Sequence, residues 1–181
     1  MKKFIYNEMM VHIPLCTNKK PKNILIISDN ATGLEDEIKK HTEVDFKTIP
    51  ATLDAIREEA DITYDVVICE IDGDAAVIGH INRISKDDAQ LVIKHDSLEE
   101  IQTNKVLMQV LSNYYKIIMP YNLGNGSTSL LASKEYHPTA DIILQRADMI
   151  DNLDYYNCDI HIAAFAMPNY IRNEYLGTIK N

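Results

Sequence analysis

Two short apolar runs constrain the fold of this chain most. Residues 23–27 read Asn-Ile-Leu-Ile-Ile and residues 64–69 read Tyr-Asp-Val-Val-Ile-Cys. Each is too short for a helix, rich in β-branched residues, and apolar at consecutive positions rather than alternate ones. A strand with one wet face alternates, whereas a strand apolar on both faces must be covered on both. That is the condition of a parallel sheet sandwiched between helices.

The segments around the runs fit such a sheet. After a polar turn at residues 17–22, residues 28–33 read as a loop and 34–41 as a helix, acidic early and basic late as the helix dipole prefers. Residues 44–49 predict a second strand, and Pro50 opens a predicted helix over 51–60. Beyond residue 69 come an acidic loop at 70–74, a helix over 76–84 and a strand over 89–94. The longest predicted helix spans 98–113, with Leu98, Ile101, Val106, Leu107, Val110 and Leu111 as its apolar face. Residues 116–119 and 127–133 predict two strands around Gly124-Asn125-Gly126, and so short a connection requires antiparallel pairing. The order predicts one α/β domain over residues 1–181, with a Rossmann-like, mostly parallel sheet and a terminal antiparallel hairpin. From residue 141 onward a helical and loop region is expected to dock back on the sheet. Between Gly33 and Tyr64 the chain is short by about one strand–helix unit against a doubly wound template, so half of a nucleotide cleft is expected to be absent.

Charge and cysteines narrow the chemistry. With 27 acidic against 18 basic residues the net charge is −9, which argues against a nucleic-acid surface and suits a cationic small molecule. Cys16, Cys69 and Cys158 are scattered without a CxxC pair, so neither zinc site nor disulfide framework is expected, and Cys69 reads as a packing residue. His41, His80, His95 and His137 lack ligand-like spacing, so no metal is expected. The apolar start of the chain is broken by Asn7, Glu8 and His12, and no stretch approaches transmembrane length. The expectation is a cytoplasmic protein with no membrane partner.

Tyr155-Tyr156-Asn157-Cys158-Asp159-Ile160-His161-Ile162-Ala163-Ala164-Phe165-Ala166-Met167-Pro168 resembles the Y-Y-N-x-x-I-H-x-A-A-F-x-x-P signature of spermidine synthases, the aminopropyltransferases of polyamine biosynthesis. Three further anchors carry the resemblance. Tyr6-Asn7-Glu8-Met9-Met10-Val11-His12-Ile13-Pro14-Leu15 is similar to Y-H-E-M-x-x-H-x-P-L. Residues 21–27 are similar to P-K-K-V-L-I-I, and residues 132–138 to A-S-K-x-Y-x-P. The resemblance implies the fold of S-adenosylmethionine-dependent methyltransferases and aminopropyltransferases. It also implies decarboxylated S-adenosylmethionine as co-substrate with no permanently bound cofactor, and a putrescine-like amine as acceptor. A homodimer is implied, with residues 4–15 and the Tyr155 tail as contact surfaces.

Site residues follow from the same comparison. The family's D-S-x-D-P loop falls on Glu70-Ile71-Asp72-Gly73-Asp74. Glu70 and Asp72 are therefore candidate catalytic carboxylates, able to take the proton of an attacking amine; the alternative is an acidic turn at the sheet's carboxyl edge. Tyr6, Asn7 and Glu8 are candidate substrate-binding residues, as is Tyr121 in the segment similar to P-T-Y-P-S-G-x-W. The glycine-rich G-G-G-D-G-G loop falls on Ser28-Asp29-Asn30-Ala31-Thr32-Gly33, which makes Ser28, Asp29 and Gly33 candidate cofactor-binding residues. Departures are concentrated here. The family's aspartate is Ala31, its histidine is Asn7, and its tryptophan is missing. Five residues stand where the family has a small β-rich domain. Asp29 and Asn30 are expected to keep the turn through left-handed conformations, and Asp29 otherwise reads as a helix-start cap. Asp45 and Ile49 flank the second strand, so the ribose-holding acid lacks a counterpart. His12 and His161 are expected to serve packing and hydrogen bonding. Three readings follow: an aminopropyltransferase, a degenerate homologue that binds or assembles, and a methyltransferase relative.

Overall fold

A computed structural model describes residues 2–124 and 126–181; Asn125 of the Gly-Asn-Gly connection lies outside the described residues. The two apolar runs are strands β1 (Asn23–Ile27) and β3 (Tyr64–Cys69), paired parallel with Ile24 opposite Val66 and Ile27 opposite Cys69. They are joined by β2 (Asp45–Ile49), β4 (Ser85–Lys94), β5 (Ile117–Asn122) and β6 (Thr128–Ser133). The six strands run in the order β2-β1-β3-β4-β6-β5, parallel from β2 to β4, with β6 antiparallel to both β4 and β5. Beyond β1 there is only β2, where a doubly wound template carries two strands. The missing strand–helix unit is therefore real.

Alternate strand residues feed two cores, as the pleat requires. Ile24, Ile26, Val66, Ile68 and Val92 face α1 (Lys3–Thr17), α2 (Thr32–Ile38), α6 (Leu144–Asp148) and α7 (Cys158–Ala164). Leu25, Ile27, Val67, Leu91 and Ile93 face α3 (Leu53–Arg57), α4 (Ala75–Ile84), α5 (Ile101–Leu111) and α8 (Asn169–Glu174). Cys69 packs in this second core, as expected. Lys180 bridges back to Ile118, so the tail does dock on the sheet. Among the described residues no helix is long and apolar enough to cross a membrane.

The N-terminal motif is a buried helix. α1 is apolar on most sides and covered from Glu8 to Thr17, with Met9, Met10, Val11, Ile13 and Leu15 fully buried. A helix apolar all round belongs in an interior. The expectation that residues 4–15 form a dimer surface is corrected accordingly, because most of that segment is already covered by its own chain.

Several boundaries also differ. Pro50 does not open α3; Thr52 does, its side chain accepting from the Ala55 amide at 3.3 Å. An extended Thr with a free hydroxyl satisfies an orphan donor, which proline cannot do. β4 begins at Ser85, four residues early, because Ser85 pairs with Tyr64 of β3 and the strand runs straight out of α4. α5 starts at Ile101 and buries Asn104, Met108 and Leu111, while Val106 is 62% exposed. Asn104 was hidden from an apolar-face reading because it is buried for its hydrogen bonds to the carbonyls of Asp96 and Ser97 and to the Tyr175 hydroxyl. Pro120 and Tyr121 lie in β5 rather than a loop, and β5 is an edge strand, where proline is tolerated.

Candidate active site

β1 continues to β2 on one side of the sheet, while β3 and β4 extend it on the other. The crevice between the carboxyl ends of β1 and β3 is therefore the topological switch point, where ligands of open α/β sheets bind. Ser28 and Glu70 are the first residues past those two ends, and the Glu70 amide donates to the Ile27 carbonyl at 2.9 Å. Tyr6 reaches the same point from the first turns of α1. Its hydroxyl donates to Glu70 Oε1 at 2.6 Å, and Ser28 Oγ donates to Glu70 Oε2. Burial, then the Glu70 carboxylate, pushes the Tyr6 phenol well above its usual range, so it remains a donor. Two sequence-predicted site residues thus converge on the carboxylate of a third.

The other candidates divide. Asn7 packs on Gly33: a Cβ at Gly33 would overlap the Asn7 amide, so a side chain occupies the space that a glycine would leave for a ligand. Asp29 accepts from the Ala51 amide at 3.0 Å, ahead of α3, and does not cap α2, whose N-cap is Ala31. Neither Asp29 nor Asn30 takes a left-handed conformation, which corrects that expectation; the turn is held instead by the Asn30 amide donating to Ser28 Oγ at 3.0 Å. Asp45 sits at the start of β2 and Ile49 at its end, so no acid stands at that strand's carboxyl edge.

Glu8 and Tyr121 are both engaged by the C-terminal tail. The Glu8 carboxylate is buried and accepts from the amides of Asp154, Tyr155 and Tyr156 at 3.0, 3.0 and 2.7 Å. Tyr121 is fully buried against Phe165, with ring centroids 5.4 Å apart. Both are expected at the substrate by motif position, and the structure shows them packing the C-terminal tail.

The acidic loop splits into three roles. Glu70 faces the crevice, while Asp74 caps α4 by accepting from the Val77 amide at 2.8 Å. Asp72 is 95% exposed and pairs with Lys94 at 3.1 Å on the β3/β4 side. There it lines a cleft of about 700 Å³ with Lys94, His95, Asp96, Asn104 and Leu107. The structure therefore separates the two candidate carboxylates. Lys94 and His95 were missed in the sequence; the available signal was their place at the end of a predicted strand. Among the described residues no group of three or more His, Cys, Asp or Glu could hold a metal ion.

His12 and His161 do serve packing and hydrogen bonding. His12 contacts Glu37 and His41, each at 2.9 Å, and His161 contacts the Tyr156 hydroxyl at 2.7 Å and the Pro138 carbonyl at 3.0 Å.

Comparison with known proteins meets this geometry. The family model described as spermine/spermidine synthase domain matches residues 3–81, the stretch holding Tyr6, Ser28 and Glu70. A polyamine aminopropyltransferase of Helicobacter acinonychis is 27% identical over 207 residues, covering 98% of this chain and 79% of that protein. The counterpart from Clostridium beijerinckii is 25% identical over 220 residues, covering 94% and 77%. The crystal structure of a spermidine synthase from Thermotoga maritima superposes with a TM-score of 0.81 at 22% identity, over 95% of this chain and 74% of that one.

Proposed function

We propose that the chain is a member of the spermidine synthase family and that it transfers an aminopropyl group from decarboxylated S-adenosylmethionine to a putrescine-like diamine, with Glu70 as proton acceptor. The observation that carries this reading is the Glu70 carboxylate at the switch point, oriented by Tyr6 and Ser28. In the reaction the amine lone pair attacks the aminopropyl carbon bonded to the sulfonium. The carbon–sulfur bond breaks, its electron pair stays on sulfur, and methylthioadenosine leaves. The proton lost by the new secondary amine passes to Glu70. Tyr6 and Ser28 hold the carboxylate before the amine arrives, and each of its oxygens keeps a further lone pair to accept from the amine. Glutamate is one methylene longer than the family's aspartate, and a misplacement of about 1 Å costs on the order of a hundredfold in rate. Slow turnover is the expected result.

A second reading, a homologue that binds or assembles without catalysis, is favoured by one specific contact. Asn7 covers Gly33, and Asp29 is engaged by Ala51, so the turn offers a ligand less open backbone than a glycine loop. One assay separates the two. The purified protein is incubated with both substrates and methylthioadenosine is followed. The transferase reading expects slow product formation, reduced a further ~100-fold or more in Glu70→Gln. No product at high enzyme concentration, with calorimetric binding of methylthioadenosine retained, sinks the transferase reading and leaves the binding protein.

A further inference from the structure

On the rim of the sheet opposite Glu70, at the amino ends of β1 and β2, lies a cavity of about 520 Å³. Its wall carries Lys19, Lys20, Lys22, Lys40 and Arg146 beside His41. Five cations thus meet in one concavity of a chain whose net charge is −9. So local a concentration of positive charge on an acidic protein focuses a field that attracts anions.

Little of that charge is neutralised. Lys40 pairs with Glu37 at 2.7 Å and donates to the Asn152 carbonyl at 2.9 Å. Arg146 donates to the carbonyls of Leu15, Asn18 and Lys19 at 2.5, 2.6 and 3.1 Å, closing the end of α1. Those acceptors are uncharged, and the guanidinium keeps two further N–H donors. Lys19, Lys20 and Lys22 are exposed, and their ammonium groups have no partner among the described residues. Against them the wall carries a single carboxylate, Glu43. Glu43 takes φ 62°, a left-handed conformation that costs a non-glycine residue about 1 kcal/mol. His41 adds no charge to the wall: burial, then His12 and Arg146, pulls it down to about 3.

We propose that this cavity binds a small phosphorylated molecule with two or more negative charges, held by Lys19, Lys20, Lys22 and Arg146. The volume lies within the range of small-ligand pockets, and arginine with several lysines is the donor set that phosphate oxygens select. A single concave site on an acidic chain, without an extended basic stripe, favours a small molecule over a nucleic acid.

Calorimetric titration with inorganic pyrophosphate tests this on the intact protein. One saturable site is expected, weakened by added sodium chloride and weakened tenfold or more in the double variant Lys19→Glu, Lys22→Glu. Those side chains are exposed, so its urea midpoint should match the parent and confirm folding. A Lys94→Glu control on the opposite rim should bind as the parent does. Absence of saturable binding at low salt overturns the proposal, as does equal binding by the double variant or an equal loss in the Lys94→Glu control.

Discussion

At the scale of single residues, the two ends of the chain that carry the family resemblance form one structural unit. Glu8 of the N-terminal motif grips the backbone of Tyr155 and Tyr156. The Tyr155 hydroxyl lies so close to Gly124, at φ 75°, that a Cβ there would overlap it. Tyr156 bonds His161, Asn157 accepts from the Ile160 amide at 2.8 Å, and Phe165 packs on Tyr121. Each of these signature positions therefore has a packing or hydrogen-bonding task independent of any substrate. Glu8 gives the test. Glu8→Ala leaves three amides without their acceptor at a buried position and should cost about 3 kcal/mol or more, whereas Glu8→Gln keeps one carbonyl acceptor and should cost less. Urea unfolding of both variants measures this. Two variants within about 0.5 kcal/mol of the parent would show that the tail is held by other contacts.

At the scale of elements, short helices here depend on their caps. α7 has seven residues, too few to persist on propensity alone, and Asn157 caps its start. Asn157→Ala should cost about 1 kcal/mol, and Asn157→Asp should retain most of that stability, read from thermal midpoints. The same scale explains what the sequence made legible. β1 and β3 were visible to the residue because apolar residues on both faces leave no other solution. The short β2 flank was visible as missing chain. The carboxyl-edge position of Glu70 followed from the end of β3. α1 was not legible as a buried helix, since its uniform apolarity carries no 3.6-residue period and Pro14 argues locally against helix. The division of Glu70 from Asp72 was also hidden. It depends on which side of β3 each side chain leaves, and residue spacing in a loop does not encode that. Lys19 to Lys22 read as a polar turn until the fold brought Lys40 and Arg146 beside them.

At the scale of the whole molecule, the buried histidines couple stability to pH. His41 is pulled down to about 3 and His161 to about 4, in both cases first by burial, and His12 and His95 are lowered by the same cause. In the chain formed by Lys40, Glu37, His12 and His41, His12 Nε2–H donates to Glu37, so His12 Nδ1 accepts from His41 Nε2–H. That pattern requires His12 neutral, while burial, then His12 and Arg146, keeps His41 neutral. Burial pushes the Glu37 carboxyl up, but hydrogen bonds from His12 and Lys40 outweigh it and hold it below its ordinary value. The sign follows from proton counts. Below the ordinary histidine value of 6.5 the unfolded chain binds protons that the folded chain refuses, so stability rises with pH and falls on acidification. Each such histidine contributes about 1.4 kcal/mol per pH unit between its unfolded and folded values. Glu37 adds loss in the same direction below its unfolded value of 4.5. A net charge of −9 opposes the trend, because acidification relieves repulsion among surface carboxylates. Buried, unscreened rings outweigh dispersed surface charge, so the urea midpoint should fall steadily from pH 7 to pH 5. His41→Asn should make that slope shallower by roughly one proton. A midpoint independent of pH across this interval would mean that the folded protein accommodates the charged rings.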